Sequence, residues 1–282
     1  MSETFAYQIT PSQLNGLQRF LDAEQTAEER WNLNADGSYK VPPADMARIA
    51  EVDLINSINR CPRLPAEAAD RGTALNEIVD RLVAGKPSNP AVAVTSLDSD
   101  GDVYAYRAEL NGFVFDFDAS LVLDLAMAYA GSLCQYLVSA PIETAAGLVR
   151  LYGYIDYWPG GTIVDLKTTT SFQFGKYGRG WQHLVYPYAA IESGRTKCVT
   201  QFIYDVVELH RRGGVYYGNR YAESYDYHHA EATDKLRGGV ERFITWLEAR
   251  RPNITDRKIF GGENPDGYVG TPITVEQLFK NE

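Results

Sequence analysis

The fold is decided by Leu148–Ala190, LVRLYGYIDYWPGGTIVDLKTTTSFQFGKYGRGWQHLVYPYAA. Two apolar runs, Leu148–Trp158 and Thr162–Thr168, flank Pro159-Gly160-Gly161, and strand-forming residues around such a turn cluster signal a hairpin. Pairing across the turn sets Asp156 close to opposite Asp165. Residues i and i+2 share a strand face, so Lys167 joins Asp165, and Ile155, Val164 and Leu166 frame the patch. Two carboxylates facing each other repel unless a positive charge sits between them. A divalent cation held by carboxylate oxygens is the simplest such charge, and it marks this patch as the expected active site.

Beyond the hairpin, Gln182 and Tyr186 lie one helical turn apart, beside His183 and Ala190. Pro187 is tolerable there if the helix starts near Gly180. Between strand and helix, SFQFGKYGRGW (Ser171–Trp181) interleaves aromatics with Lys176 and Arg179. Such a loop can stack bases while gripping phosphates, or it can be pinned by aromatic packing.

Three pieces in order, GYID (Gly153–Asp156), DLK (Asp165–Lys167) and QHLVY (Gln182–Tyr186), resemble the PD-(D/E)XK nuclease superfamily, most of all its RecB-like and phage exonuclease branch. The likeness runs from about Pro65 to Val207. It implies an α/β (α+β) restriction-endonuclease-like core, a central mixed sheet flanked by helices in the order αβββαβ. It also implies Mg²⁺ or Mn²⁺ held by Asp156, Asp165 and the Leu166 carbonyl, with Lys167, Gln182 and Tyr186 completing the catalytic set. The family's helix before the hairpin usually offers G-x-x-x-H. Here RGTALNEIVD (Arg71–Asp80) puts Asn76 at that place, an amide competent for hard cations and poor for softer ones. Asn76 and Glu77 otherwise read as an ordinary solvated helix face. Glu77 lies about 100° around the helix from Asn76. Glu143, on the strand leading into the site, is a further secondary candidate.

One domain accounts for the 282 residues: a helical extension over 1–64, the catalytic core over 65–210, and a hairpin, helix and irregular tail over 211–282. Thr10, Pro11 and Gln13 form a capping box for a first helix striped with Leu14, Leu17 and Leu21. Met46, Ile49 and Ile55 mark a second helix, and a third runs from Pro65 to about Ala84, burying Leu75, Ile78, Val79 and Leu82. Pro87–Asp102 reads as a polar loop. Asn111-Gly112 is a two-residue hairpin turn between Val103–Leu110 and Phe113–Phe117, with Asp116 and Asp118 on a wet strand face. Ala119–Ala140 reads as a largely buried helix, followed by a short hairpin from Ile142. Cys198–Val207 is the last core strand, and Glu231–Arg250 a helix.

Three scattered cysteines (Cys61, Cys134, Cys198) suit a reducing cytoplasm and cannot supply an iron–sulfur cluster. No signal peptide is expected, and Asp124 interrupts the one candidate membrane span, around Leu121–Val138. The net charge of −10 sits awkwardly with DNA, but Leu166–Arg220 carries eight Lys/Arg against three Asp/Glu, a local +5. Lys176, Arg179, Trp181, Arg211 and Arg212 are the expected DNA contacts. Three functions stay open: a DNA exonuclease acting on duplex ends in recombination or repair, an endonuclease or junction-cleaving enzyme of the same superfamily, and a nuclease-derived binding module. The resemblance also leaves room for a homo-oligomer and for a single-strand annealing protein as partner.

Overall fold

The structure is a computed structural model that describes residues 4–27 and 32–279; parts of the expected terminal extensions lie outside them. Nine strands form a mixed sheet flanked by helices. In chain order they are β1 Tyr7–Ile9, α1 Pro11–Leu21, α2 Ala23–Ala27, α3 Pro43–Ile58, α4 Glu67–Ala84, β2 Ala93–Ser99, β3 Asp102–Leu110, β4 Phe113–Asp118 and α5 Ala119–Ala128. Then come β5 Leu133–Thr144, β6 Gly147–Trp158, β7 Thr162–Thr169, α6 Gln182–Glu192, β8 Gln201–Arg212, β9 Val215–Asp226, α7 His229–Ala249 and α8 Val275–Leu278. The sheet order is β1-β6-β7-β8-β9-β4-β3-β2, with β5 on the other edge of β6.

Two apolar clusters lie on opposite faces of the sheet. One gathers α1, α3, α6 and α7, the other α4 and α5. The expected capping box is present at α1, where Thr10 accepts from Gln13 N–H and Gln13 accepts from Thr10 N–H. Asn111 and Gly112 both have positive φ (52° and 83°), the backbone a two-residue turn between right-twisted strands needs. Of the α4 stripe, Leu75, Ile78 and Val79 are buried while Leu82 is 41% exposed.

Several readings are corrected. The helix expected over Ala119–Ala140 stops at Ala128; Gly131 (φ 78°) turns the chain, and Leu133 begins a twelve-residue strand. An unbroken apolar run carries no period, so it could not separate a buried helix from a buried strand. The hairpin before the site is therefore long, β5 against β6 from Leu133↔Trp158 to Thr144↔Gly147. Part of the expected polar loop, Ala93–Ser99, is an edge strand paired with β3. The C-terminal tail packs closely: Ile254 and Ile259 belong to the first cluster, and a side chain at Gly270 would meet the Asn59 carbonyl at 2.0 Å.

Candidate active site

The geometry follows from how β6 divides one of its edges. At its start it pairs with β1 in parallel (Tyr7↔Val149 to Ile9↔Leu151), and at its end with β7 through a single pair, Tyr157↔Val164. Residues 152–156 therefore have no ladder partner on that edge. The regular alternation also fails here: Ile155 buries in one cluster, and Tyr157, two residues on, in the other. Asp156 sits where β6 changes face and β7 diverges.

The fork brings the expected acids together. Asp156 follows the Tyr157↔Val164 register to a place facing Asp165, and its Oδ2 accepts from the Leu166 amide at 3.1 Å. The carboxylate thus takes the place of a missing backbone acceptor. A strand residue's N–H and C=O point the same way, so the Leu166 carbonyl also faces the fork. Asp165 is 1% exposed; its Oδ1 accepts from Gln182 Nε2 at 2.7 Å, and its Oδ2 lies against Lys167 Nζ.

Burial and two like charges set the electrostatics. Loss of solvent first, then the Asp165 and Asp80 charges, push Asp156 up to about 8, while Lys167 and the Leu166 amide pull it down. Burial also raises Asp165 against the counterpull of Lys167 and Gln182. Desolvation lowers Lys167, but the two carboxylates outweigh it and leave its pKa raised. The lysine is an ammonium at neutral pH.

Tyr186 packs beneath the pair. Its ring is buried, and the Asp165 and Asp156 charges add to burial in raising its hydroxyl pKa. A Cβ on Gly153 would sit 2.7 Å from Tyr186 Cε1, so the glycine three residues before Asp156 admits the ring. Pro187 lies inside α6, which starts at Gln182.

Asn76 belongs to the same neighbourhood. A Cβ on Gly72, one turn earlier on α4, would meet Thr168 Oγ1 at 2.7 Å, and Asp80, one turn later, accepts from Tyr157 Oη at 2.7 Å. The helix therefore crosses β7 and β6 near the level of the acids. Asn76 Oδ1 is buried with no hydrogen-bond partner among the described residues.

Other expectations fail. Glu77 is buried but turned away, its carboxylate held by Arg81, Ser88 and the Asn89 amide. Glu143 is exposed, paired with Leu148 at the far end of the hairpin, eight residues of β6 from Asp156. Trp181 is 6% exposed and wedged onto α7, where a Cβ on Gly239 would lie 2.1 Å from its ring. It cannot stack a base. Most of the Ser171–Trp181 loop is pinned: Phe172 stacks on Tyr221 at 4.3 Å, Tyr177 on Tyr204 at 5.4 Å, and buried Glu223 accepts from the Gly175 amide. Phe174, Lys176 and Arg179 remain exposed, as do Arg211 and Arg212. Asp116 pairs with Arg107 and Asp118 caps α5, so neither faces the fork.

Two contributing residues carry no signal in the sequence. Gln135 Nε2 donates to Asp156 Oδ1 at 3.3 Å and also hydrogen-bonds Asp80. Asp80 is held besides by Ser88 Oγ at 2.7 Å, and its carboxyl is pushed up chiefly by burial. Gln135 has φ 46°, rare for a residue with a Cβ, and falls between the Cys134↔Tyr157 and Tyr136↔Ile155 pairs. The break in β5 thus mirrors the break in β6.

No three His, Cys, Asp or Glu side chains among the described residues form a metal-holding group, so any cation here relies on two carboxylates with amide and carbonyl oxygens. No described helix is long and apolar enough to cross a membrane. No protein-family model matches the chain, and no curated protein matches it. Among solved structures it is similar to one titled "Crystal structure of SSO0001", at 9% identity and a TM-score of 0.39, covering 87% of this chain and 78% of that one.

Proposed function

We propose that the chain is a divalent-metal-dependent deoxyribonuclease of PD-(D/E)XK type, and more narrowly an exonuclease acting at duplex ends. One observation carries this reading: Asp156, Asp165, Lys167 and Gln182 converge on a fork where β6 and β7 part.

The donor set suits a hard cation. Two buried carboxylates face one ammonium, and burial first, then the Asp165 charge, raise Asp156, a rise that further positive charge would offset. The unpartnered Asn76 oxygen and the fork-facing Leu166 carbonyl add neutral oxygens, which Mg²⁺ and Mn²⁺ accept. Asp156, Asp165 and these two oxygens would hold the ion. Once bound, it would supply Lewis acidity, polarising a phosphoryl oxygen and acidifying water.

The chain's own groups do the rest. Lys167 stays protonated, so its part is to orient the attacking water and to set a positive charge against the phosphorane as negative charge grows there. Gln182 fixes the Asp165 carboxylate so that one edge faces Lys167, and Tyr186 closes the floor against water. Gln135 holds Asp156 from β5.

Asn76, standing where the resembled family has histidine, together with the −10 net charge, favours a second reading: a module that binds nucleic acid without cutting it. Digestion of linear, nicked and closed circular DNA, with and without Mg²⁺ or Mn²⁺, separates the readings. Metal-dependent loss of linear DNA alone supports the exonuclease. Cutting of closed circles makes it an endonuclease. Binding without any cleavage leaves the module.

A further inference from the structure

The other charged cluster near this site has the opposite sign. Arg71 of α4 and Arg211 of β8 both lie over one aromatic ring, Tyr216, with guanidinium carbons 5.2 and 5.3 Å from its centroid. They can be no further apart than the sum of those distances. Neither has an ion-pair partner among the described residues, in a chain with 37 Asp and Glu. The Arg71 Nε is buried and makes no hydrogen bond among the described residues; Arg211 Nε donates only to the Gly214 carbonyl, at 3.3 Å.

Other arginines anchored in this molecule take carboxylates: Arg220 takes Asp205, Arg250 takes Glu51, Arg81 takes Glu77 and Arg60 takes Asp256. Glu67, one turn before Arg71, accepts from the Tyr216 hydroxyl at 3.4 Å. The ring is thus held by Glu67 at its hydroxyl and flanked by two cations on its π surface. Two guanidinium groups beside one ring, neither paired with a carboxylate among the described residues, leave positive charge that an anion can meet.

The position is as telling as the charge. Arg71 adjoins Gly72, which lies against Thr168, the residue after Lys167. On β8, Val206 pairs with Lys167 and Arg211 pairs with Tyr216, five residues further on and so on the other face of the sheet, the side of α4. At a strand rise of about 3.3 Å per residue, Arg211 lies about 16 Å further along β8 than the residue beside Lys167.

We propose that Arg71 and Arg211, stacked on Tyr216, form a subsite for a nucleic-acid backbone phosphate away from the bond being cut. The planar guanidinium fork suits a phosphate's oxygens, and neither guanidinium has a carboxylate partner among the described residues to compete for it. The nucleic-acid identity of the ligand rests on the nuclease reading; the anion site itself rests on the geometry alone.

The test is equilibrium binding of a short fluorescein-labelled duplex in EDTA, followed by anisotropy between about 50 and 200 mM salt. Arg71→Gln and Arg211→Gln should each lower the slope of log affinity against log salt by about 1. Arg71→Lys, which keeps the charge, should retain most of that slope. Arg107→Gln, which removes an arginine already paired with Asp116, should leave it unchanged. Arg211 is exposed, so its variant should fold even if Arg71→Gln does not. Wild-type slopes in both glutamine variants would overturn the inference while leaving any DNA cleavage, and hence the nuclease reading, standing. If wild type fails to bind duplex, titration with pyrophosphate by calorimetry decides. Heat that vanishes in Arg211→Gln keeps the anion site and removes the nucleic-acid reading, and no heat removes both.

Discussion

Two buried carboxylates occupy adjacent positions across the parallel pair β7 and β8: Asp165 lies beside Tyr204, and Asp205 beside Leu166. Asp205 is fully provided for. Arg220 reaches it through Nε at 2.8 Å and through its Nη2, and Tyr129 donates to it at 2.5 Å. One acid, one base and one hydroxyl balance. At the fork, Asp156 and Asp165 share one lysine, and Asp156 is pushed up to about 8. The difference separates a balanced ion pair from two buried acids with one counter-charge between them. An open cleft of about 440 Å³ beside Asp205, lined by Tyr129, Pro159 and Tyr221, leaves that distinction intact, because the charge it borders is already matched.

The contrast breaks if the two regions respond alike to mutation. The largest expected effect is at the unbalanced site. Asp156→Asn and Lys167→Ala should each lower metal-dependent cleavage at least about 10³-fold, about 4 kcal/mol of transition-state stabilisation. Near-normal initial rates on linear DNA in either variant would end the comparison. Next comes the balanced site, where Arg220→Ala strands the Asp205 charge. Breaking a fully buried pair costs about 3–5 kcal/mol, and the 38% exposure of the Arg220 side chain brings that to about 2–3. The expected drop in Tm is roughly 4–10 °C, read by calorimetry, with cleavage per folded molecule unchanged.

Gln135→Ala sharpens the picture further. It removes a donor that holds Asp156 and should weaken Mg²⁺ or Mn²⁺ binding about 10-fold, measured by calorimetry, with little change in Tm. A lowered Tm with unchanged metal affinity would make Gln135 a packing residue only.

The smallest effect concerns pH. The folded pKa of Asp156, about 8, stands above the ordinary aspartate value near 3.9, so between those limits the native state binds the extra proton. Its contribution to stability is therefore lost as pH rises from about 4 to 8. Asp156→Asn removes that loss and should raise Tm at pH 8, with the difference fading toward pH 4. A variant less stable than wild type at pH 8 would show that the acid is not strained there.

The same imbalance explains what could be read from the residues. The acids, Lys167, Gln182 and Tyr186 were legible because a strand period and a helical turn bring residues together by spacing alone. The Asn111-Gly112 turn and the Thr10 cap were legible for the same local reason. Gln135 was not, since a positive φ on a glutamine leaves no trace in composition. Asp80 carries no mark of its own in the sequence, and its tertiary contact with Tyr157 is what places it at the site. Trp181 suggested stacking, although Gly238-Gly239 in α7 is the kind of gap a buried ring fills. The β5 strand was hidden inside an apolar run that fits either period.

The short pairing of Tyr7–Ile9 with Val149–Leu151 has a consequence for biosynthesis. The strand that props the far end of β6 emerges from the ribosome about 140 residues ahead of its partner, on the order of ten seconds earlier. Until then those three residues are an unclaimed edge, and Pro11, which lies against Gly153, has nothing to rest on. The acid fork is therefore finished only after β6 has emerged and taken up β1.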